Sequence, residues 1–242
     1  MVGACPLARW TFSPQFEPQT RTLGVWGQQS PTARPTVLDS GMKSQRATDP
    51  RVSAAFAAIP RKGFLTDSER RYADKDRPLP IGHGQTNSQP TTVRNMLTLL
   101  DVRSGHRVLD VGSGSGWTTA LLGHLTGPAG RVYGVELVPD LAEWGGRNLA
   151  SLGMPWTSIQ PAGPPAGQPA GDGVLGLPEH APFDRILVSA EARKLPPALV
   201  DQLGGGGRMV IPVAGRLSVV DRDADGTVDV RRVGHYAFVP LR

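Results

Sequence analysis

A chain of 242 residues with 39% hydrophobic content can bury one substantial core, and no stretch reaches the roughly 18–20 uninterrupted apolar residues of a membrane span. The formal charge of +5 comes from arginines scattered along the sequence, with no cluster that would track phosphates, so no nucleic-acid partner is expected. Cys5 is the only cysteine, which excludes an internal disulfide and a cysteine-built metal site. Residues 1–41 lack the basic-then-apolar order of a secretory signal, so the cytoplasm is the default expectation.

Residues 1–41 hold five prolines and four glutamines without apolar periodicity and read as a disordered or loosely attached arm, with Met42 as an alternative start. Residues 42–242 read as one domain. From Pro50, the side chains of Val52, Ala55, Phe56 and Ile59 fall on one helical face until Pro60 stops it. Residues 61–90 are rich in Gly, Pro and polar side chains and predict a long ordered loop, a feature that is usually functional in a compact domain. Pro90 opens the next helix, with Val93, Met96, Leu97 and Leu100 on its apolar face, which puts Ser88 and Gln89 at a helix N-terminus.

Strands and helices then alternate: strand 107–111, helix 116–125, strand 131–136, helix 139–152, strand 183–189, helix 197–203, strand 208–213. This order predicts an α/β fold, a doubly wound Rossmann-like sheet that is mostly parallel. The end differs. Residues 217–222 and 227–233, on either side of Ala224-Asp225-Gly226, predict an antiparallel hairpin, and residues 236–241 a last strand, giving the sheet an antiparallel C-terminal edge. Residues 161–173, PAGPPAGQPAGDG, read as a flexible Gly/Pro-rich insertion.

The chemistry concentrates in VLDVGSGSGW, residues 108–117, where Gly112, Gly114 and Gly116 stand between an apolar strand and a helical run. Glycines there let the backbone turn sharply and approach a ligand with no Cβ in the way. Glu136, 22 residues beyond Gly114, ends the next strand, where a carboxylate can accept hydrogen bonds from both hydroxyls of a ribose. A dinucleotide fingerprint would need glycine at position 117, which is Trp117. The spacing therefore favours a cofactor with one nucleoside and an amino-acid tail, S-adenosylmethionine, over NAD, with a turn that binds nothing as the bland alternative. Trp117 is expected to pack beneath the turn. His83 is expected to be a loop packing group rather than a proton shuttle, and His106, His124, His180 and His235 lack metal-ligand spacing, so no metal is expected.

With PLPIGHGQTNSQP (78–90) added to VLDVGSGSGW, the chain resembles the protein-L-isoaspartate O-methyltransferases, a family of class I S-adenosylmethionine-dependent enzymes. The likeness recurs in order through VSAAFAAIPRKGF, VYGVELVPDLAEWGGRNLA, GDGVLGLPEHAPFDRILVSA, GGGGRMVIPV and FVPL. It implies methylation of the free carboxylate of isoaspartyl residues in damaged proteins or peptides, after which the ester collapses to a succinimide and repair begins. A carboxylate with a pKa of about 4 is already ionised at neutral pH, so no general base is required, and catalysis reduces to positioning.

The resemblance implies roles for particular residues. Ser88 is the expected reaction-centre residue, its hydroxyl and the free N–H groups of the following helix holding a carboxylate oxygen; an N-cap serine with no ligand is the alternative. Thr86 and Asn87 would line the same pocket, Asn87 departing from the aliphatic residue common in the family. Pro212 and Val213 would wall the peptide site, unless they are ordinary core at a strand end. Gly112, Gly114, Gly116 and Glu136 would hold the cofactor, with Asp110 orienting its amino group directly or through water, unless Asp110 is only a solvated strand-end carboxylate. Asp172 and Gly173 would flank the adenine, although the insertion before them is longer than usual. Glu191, Arg193 and Lys194 replace a run of small residues and could retune which peptide is accepted. The chain is expected to act as a monomer, without nucleic acid, membrane or metal. Two alternatives stay open: a related carboxyl methyltransferase for a dedicated peptide or small acid, and a non-catalytic S-adenosylmethionine-binding protein.

Overall fold

A computed structural model describes residues 49–163 and 175–241; the expected N-terminal arm and the pair Asp172 and Gly173 lie outside the described residues. Nine strands and five α-helices follow in chain order: α1 (Pro50–Ala58), β1 (Leu79–Gly82), β2 (Gln85–Asn87), α2 (Pro90–Leu100), β3 (Arg107–Val111), α3 (Trp117–Thr126), β4 (Arg131–Glu136), α4 (Pro139–Ala150), β5 (Thr157–Pro161), β6 (Phe183–Val188), α5 (Pro197–Val200), β7 (Leu203–Val213), β8 (Arg216–Arg222) and β9 (Val228–His235). Seven of the strands form one sheet in the order β5-β4-β3-β6-β7-β8-β9. β5, β4, β3, β6 and β7 run parallel to their neighbours, and β8 and β9 are added antiparallel. The fold is the expected doubly wound Rossmann-like α/β sheet with an antiparallel C-terminal edge.

Alternation along the strands sends their side chains to two faces. Val108, Leu187, Val210, Leu217 and Val219 pack with Val52 and Ala55 of α1, Met96 and Leu97 of α2, and Leu121 of α3. Leu109, Val111, Ile186, Val188, Met209 and Ile211 pack on the other side with Leu177, Leu199 and Leu203. The strand order reverses between β3 and β6, because the chain leaves β3 toward β4 and β5 and returns on the opposite side. An open parallel sheet is splayed at such a switch point, and ligands lodge beyond the carboxyl ends of the strands that flank it.

One strand was not expected, and two expectations about elements are corrected. β5 has no apolar run, its Thr157-Ser158-Ile159-Gln160-Pro161 being half-buried or exposed, so an edge strand left no hydrophobic signal. β7 starts at Leu203 rather than 208 and runs through Gly204 to Gly207, where backbones crowd so closely that a Cβ on Gly207 would lie 2.8 Å from the Gly204 carbonyl oxygen. Residues 236–241 form no strand. They lie along Glu191, whose N–H donates to the Val239 carbonyl (2.7 Å) and whose carbonyl accepts from the Leu241 N–H (2.8 Å).

Residues 61–90 are ordered, as expected, but contain structure of their own: two 3-10 turns and the separate hairpin β1–β2. Leu79 and Ile81 of that hairpin pack with Leu65 and with Leu141 of α4. Among the described residues no helix is long and apolar enough to cross a membrane.

Candidate active site

A cavity of about 670 Å³ opens at the switch point. Its floor is the end of β3 and the following turn (Val111 to Ser115), its sides are the ends of β4 (Val135, Glu136) and the segment after β6 (Ser189, Ala190, Ala192, Arg193), and its roof is the β1–β2 hairpin with Thr86, Asn87 and Ser88. Val239, Pro240 and Leu241 close the far side, which is what their pairing with Glu191 accomplishes.

The turn is built by backbone conformation. Gly112, Gly114 and Gly116 all lie at positive φ (79°, 53° and 92°), where a side chain would be strained. Their tasks differ. Gly112 and Gly114 line the cavity, whereas Gly116 does not; it caps α3, and a Cβ there would come within 3.1 Å of the Gly145 carbonyl oxygen of α4. Gly116 therefore serves the close packing of α3 against α4 rather than access for a ligand.

Glu136 is buried and uses each carboxylate oxygen once: Oε2 accepts from the Gly114 N–H (2.8 Å) and Oε1 from the Val138 N–H (2.9 Å). It thus fixes the glycine turn against the start of α4. Each oxygen retains a lone pair, and Glu136 faces the cavity, so it can still accept from a vicinal diol.

Asp110 is not the solvated carboxylate that was one expectation. It is fully buried, its Oδ2 accepts from the hydroxyls of Thr118 (2.8 Å) and Thr119 (2.7 Å), and its Oδ1 has no hydrogen-bond partner among the described residues. Burial pushes its carboxyl up to about 6. It does not line the cavity; Thr118 stands between.

Ser88 lines the cavity with Gly112 and Gly114. The expected helix-terminus contribution is reduced, however. Gln89 is the N-cap of α2, Pro90 has no N–H, and the Thr91 N–H is already taken by Asp76 Oδ1 at 2.8 Å. Asp76 also accepts from the Thr91 hydroxyl and from Gln89, so a carboxylate 15 residues upstream in sequence caps this helix. The bond from the Thr91 N–H is the largest influence holding the Asp76 carboxyl below its ordinary range. What Ser88 offers a substrate is its hydroxyl, held in place from behind.

Thr86 is exposed within the cavity, and Asn87 is buried, its side chain spanning from Arg61 to Ser115. Pro212 and Val213 do not line the cavity. They lie one row behind it, the Pro212 carbonyl accepting from the Ala192 N–H at 3.0 Å and Val213 bridging to Ala192. Trp117 packs beneath the turn as expected, donating to the Ile59 carbonyl (3.1 Å) and meeting Phe56 edge to face. His83 is not a packed group: it is half-exposed on the rim at φ 53°, with Nε2 3.5 Å from Asp140 Oδ2.

Several contributors had no sequence signal. Arg61 is buried under the hairpin. Gln202 holds the segment beside the cavity, accepting from the Leu177 N–H (2.8 Å) and donating to the Leu175 carbonyl (2.8 Å). A polar residue inside an apolar stretch could have flagged Gln202; nothing local could have placed it. Among the lining residues are one arginine, Arg193, beyond β6 and one carboxylate, Glu136, at the end of β4. Among the described residues no group of three or more His, Cys, Asp or Glu could hold a metal ion.

The chain that folds into this arrangement, a glycine turn facing a hydroxyl-bearing hairpin, has relatives among known proteins. A sequence model described as protein-L-isoaspartate(D-aspartate) O-methyltransferase (PCMT) matches residues 34–242. A protein-L-isoaspartate O-methyltransferase of Aeropyrum pernix is 45% identical over 213 residues, covering 86% of this chain and 79% of its relative. One from Syntrophobacter fumaroxidans, protein-L-isoaspartate O-methyltransferase 2, is 44% identical over 81% of this chain and 76% of its own length. Among solved structures, a protein-L-isoaspartate O-methyltransferase superposes with a TM-score of 0.68 at 26% identity, covering 81% of this chain and 62% of that one. A Plasmodium falciparum chain described as a beta-aspartate methyltransferase (PCMT), crystallised with S-adenosyl-L-homocysteine, shares the fold at a TM-score of 0.66 and 24% identity, over 81% and 92% of the two chains. The match spans the hairpin, the turn and the strands that hold them, and on that footing the chain belongs to the protein-L-isoaspartate(D-aspartate) O-methyltransferase family.

Proposed function

We propose that the protein transfers a methyl group from S-adenosylmethionine to the free carboxylate of isoaspartyl residues in damaged proteins or peptides, the first step of their repair. The observation that carries this reading is the shared cavity: Ser88 and the Gly112–Gly114 backbone face one space of about 670 Å³, large enough for a nucleoside and an acidic side chain together. The fit to the cofactor rests on the turn, where a Cβ would fill the approach, and on the remaining lone pairs of Glu136.

Gly112, Gly114 and Glu136 would hold the cofactor, as residues that line the cavity. Asp110 acts from behind Thr118, its negative charge favouring an ammonium group, and Gly116 acts by packing. When bound, S-adenosylmethionine supplies a methyl made electrophilic by its sulfonium, so an ionised carboxylate takes the methyl carbon as the carbon–sulfur bond breaks and the electron pair stays on sulfur, with no proton to move. Ser88 donates its hydroxyl to the acceptor carboxylate and fixes its direction. Thr86 lines the peptide side, and the residue 239–241 segment shields the reacting groups from water. Catalysis of this kind is positioning, which accounts for a site without a general base.

Residues 42–242 form the catalytic domain and residues 1–41 an appended arm. The enzyme works in the cytoplasm as a monomer, without nucleic acid, membrane or metal. The test uses labelled S-adenosylmethionine with an isoaspartyl peptide and its aspartyl twin: base-labile label on the first and background on the second is expected, and equal labelling of both would contradict the reading. The position of Arg193 on the rim favours a second reading, a dedicated acidic peptide as acceptor, which would show as stronger labelling of an acidic non-isoaspartyl substrate.

A further inference from the structure

Arg61 and Asn87 take no part in the chemistry just described, yet both are buried, at 6% and 5% exposure. A buried cation must be met by acceptors, and those of Arg61 belong to the substrate loop. Its Nε donates to Asn87 Oδ1 (2.7 Å), Nη1 to the Lys75 carbonyl (3.1 Å), and Nη2 to the carbonyls of Arg77, Asn87 and Ser88 (2.9 Å each). The guanidinium also stands over the Trp117 ring, 5.5 Å from its centroid. Asn87 is thereby held from one end. From the other end its Nδ2 donates to Ser115 Oγ (3.2 Å), and the Ser115 carbonyl accepts from Asn148 Nδ2 of α4 (2.9 Å). A line of hydrogen bonds thus runs from Arg61 through Asn87 into the glycine turn, crossing between the residues assigned to the peptide and those assigned to the cofactor.

We infer that Asn87 is a positioning residue that couples the two ligand sites: occupancy of the turn orders Ser115 and, through Asn87, the strand carrying Ser88, so each ligand tightens the binding of the other. The inference rests on the proposed function for the identity of the two ligands. Its physical basis is shared ordering cost. β1 and β2 pair only with each other, outside the main sheet, and a ligand that immobilises the turn lowers the entropy lost when the hairpin receives its own ligand. Coupling of this kind must be reciprocal.

The experiment is titration calorimetry on the full chain with S-adenosylhomocysteine, which cannot react, and an isoaspartyl peptide, each measured alone and in the presence of the other. The coupling factor is a ratio of affinities for one protein, so a general loss of affinity in a variant cancels. The wild type should show a factor of about five or more. Asn87→Val and Ser115→Ala each delete the same bond from opposite ends and should bring the factor to about one, and the double variant should be no lower than either single one. Should one single variant fail to fold, the other decides. A wild-type factor of one, or a wild-type factor retained in a variant, overturns the inference while leaving the proposed function standing. Failure of the wild type to bind S-adenosylhomocysteine at all would overturn the functional reading and the inference with it.

Discussion

The two walls of the cavity are held by different forces. The turn and strand ends that would receive the cofactor are secured by backbone: β3 is paired in register on both sides, with β4 and with β6, and the Gly112 N–H donates to the Val135 carbonyl. The hairpin that leads into Ser88 is secured by a side chain, Arg61 beneath it, and the start of α2 that follows Ser88 is secured by another, Asp76. A ladder tolerates the loss of any one side chain, because the remaining bonds keep their geometry; a clamp made of one guanidinium does not. Substitutions on the two walls should therefore fail in different ways.

The largest separation is expected at Arg61. Arg61→Met leaves the carbonyls of Lys75, Arg77 and Ser88 without this donor and should cost about 2–4 kcal/mol of stability. Turnover per peptide encounter should fall about 100-fold through misplacement of Ser88. S-Adenosylhomocysteine affinity, measured by calorimetry, should change far less; a larger loss there than in kcat/KM for the peptide would break the comparison.

Glu136→Ala tests the opposite wall. It removes the proposed diol acceptor and frees the Gly114 and Val138 N–H groups, so cofactor affinity should fall by about 2–3 kcal/mol, with kcat at saturating cofactor much less affected. Equilibrium binding and saturation kinetics separate the two quantities.

A pH experiment on Asp110 gives a somewhat smaller effect. Its folded pKa is raised from 3.8 to about 6, so its contribution to stability is fully present below the unfolded value and is lost as pH rises through 6. Relative to Asp110→Asn, the ligand-free wild type should lose on the order of 2–3 kcal/mol between about pH 4 and pH 7, read by denaturant titration. Cofactor binding should release a proton near pH 6 if the ionised form is the one that favours the ammonium group, which calorimetry in buffers of different ionisation enthalpy would detect. The smallest effect belongs to Asp76→Ala, which removes a remote helix cap worth about 1 kcal/mol and should raise the peptide KM while leaving cofactor affinity unchanged.

What the sequence made legible follows the same division. β3 and β4 were read to the residue because buried parallel strands are continuous apolar runs, and Gly112, Gly114 and Glu136 because a turn at positive φ and a strand-end carboxylate each leave a local mark. The hairpin was seen only as an ordered loop, since Arg61 is joined to Asn87 across 26 positions and Asp76 to Thr91 across 15, distances over which no periodicity operates. Gly116 and Asp110 were read as cofactor positions, Asp110 acting directly or through water or else as a solvated strand-end carboxylate; the fold packs Gly116 against Gly145 and buries Asp110 behind Thr118, neither of which leaves a local mark. Pro212 and Val213 could be read either as the peptide-site wall or as ordinary core at a strand end; they lie behind the cavity, and the residue 239–241 segment, expected as a strand, lines it instead.

The account stands most directly on the Ser88 hydroxyl acting across the cavity from the glycine turn. The decisive measurement is the steady-state methylation of an isoaspartyl peptide by Ser88→Ala, together with its affinity for S-adenosylhomocysteine. Loss of one hydrogen bond to a charged acceptor predicts a fall in kcat/KM of about 10–100-fold with cofactor affinity within about two-fold of wild type. Unchanged methylation, or a loss carried entirely by cofactor affinity, would contradict it.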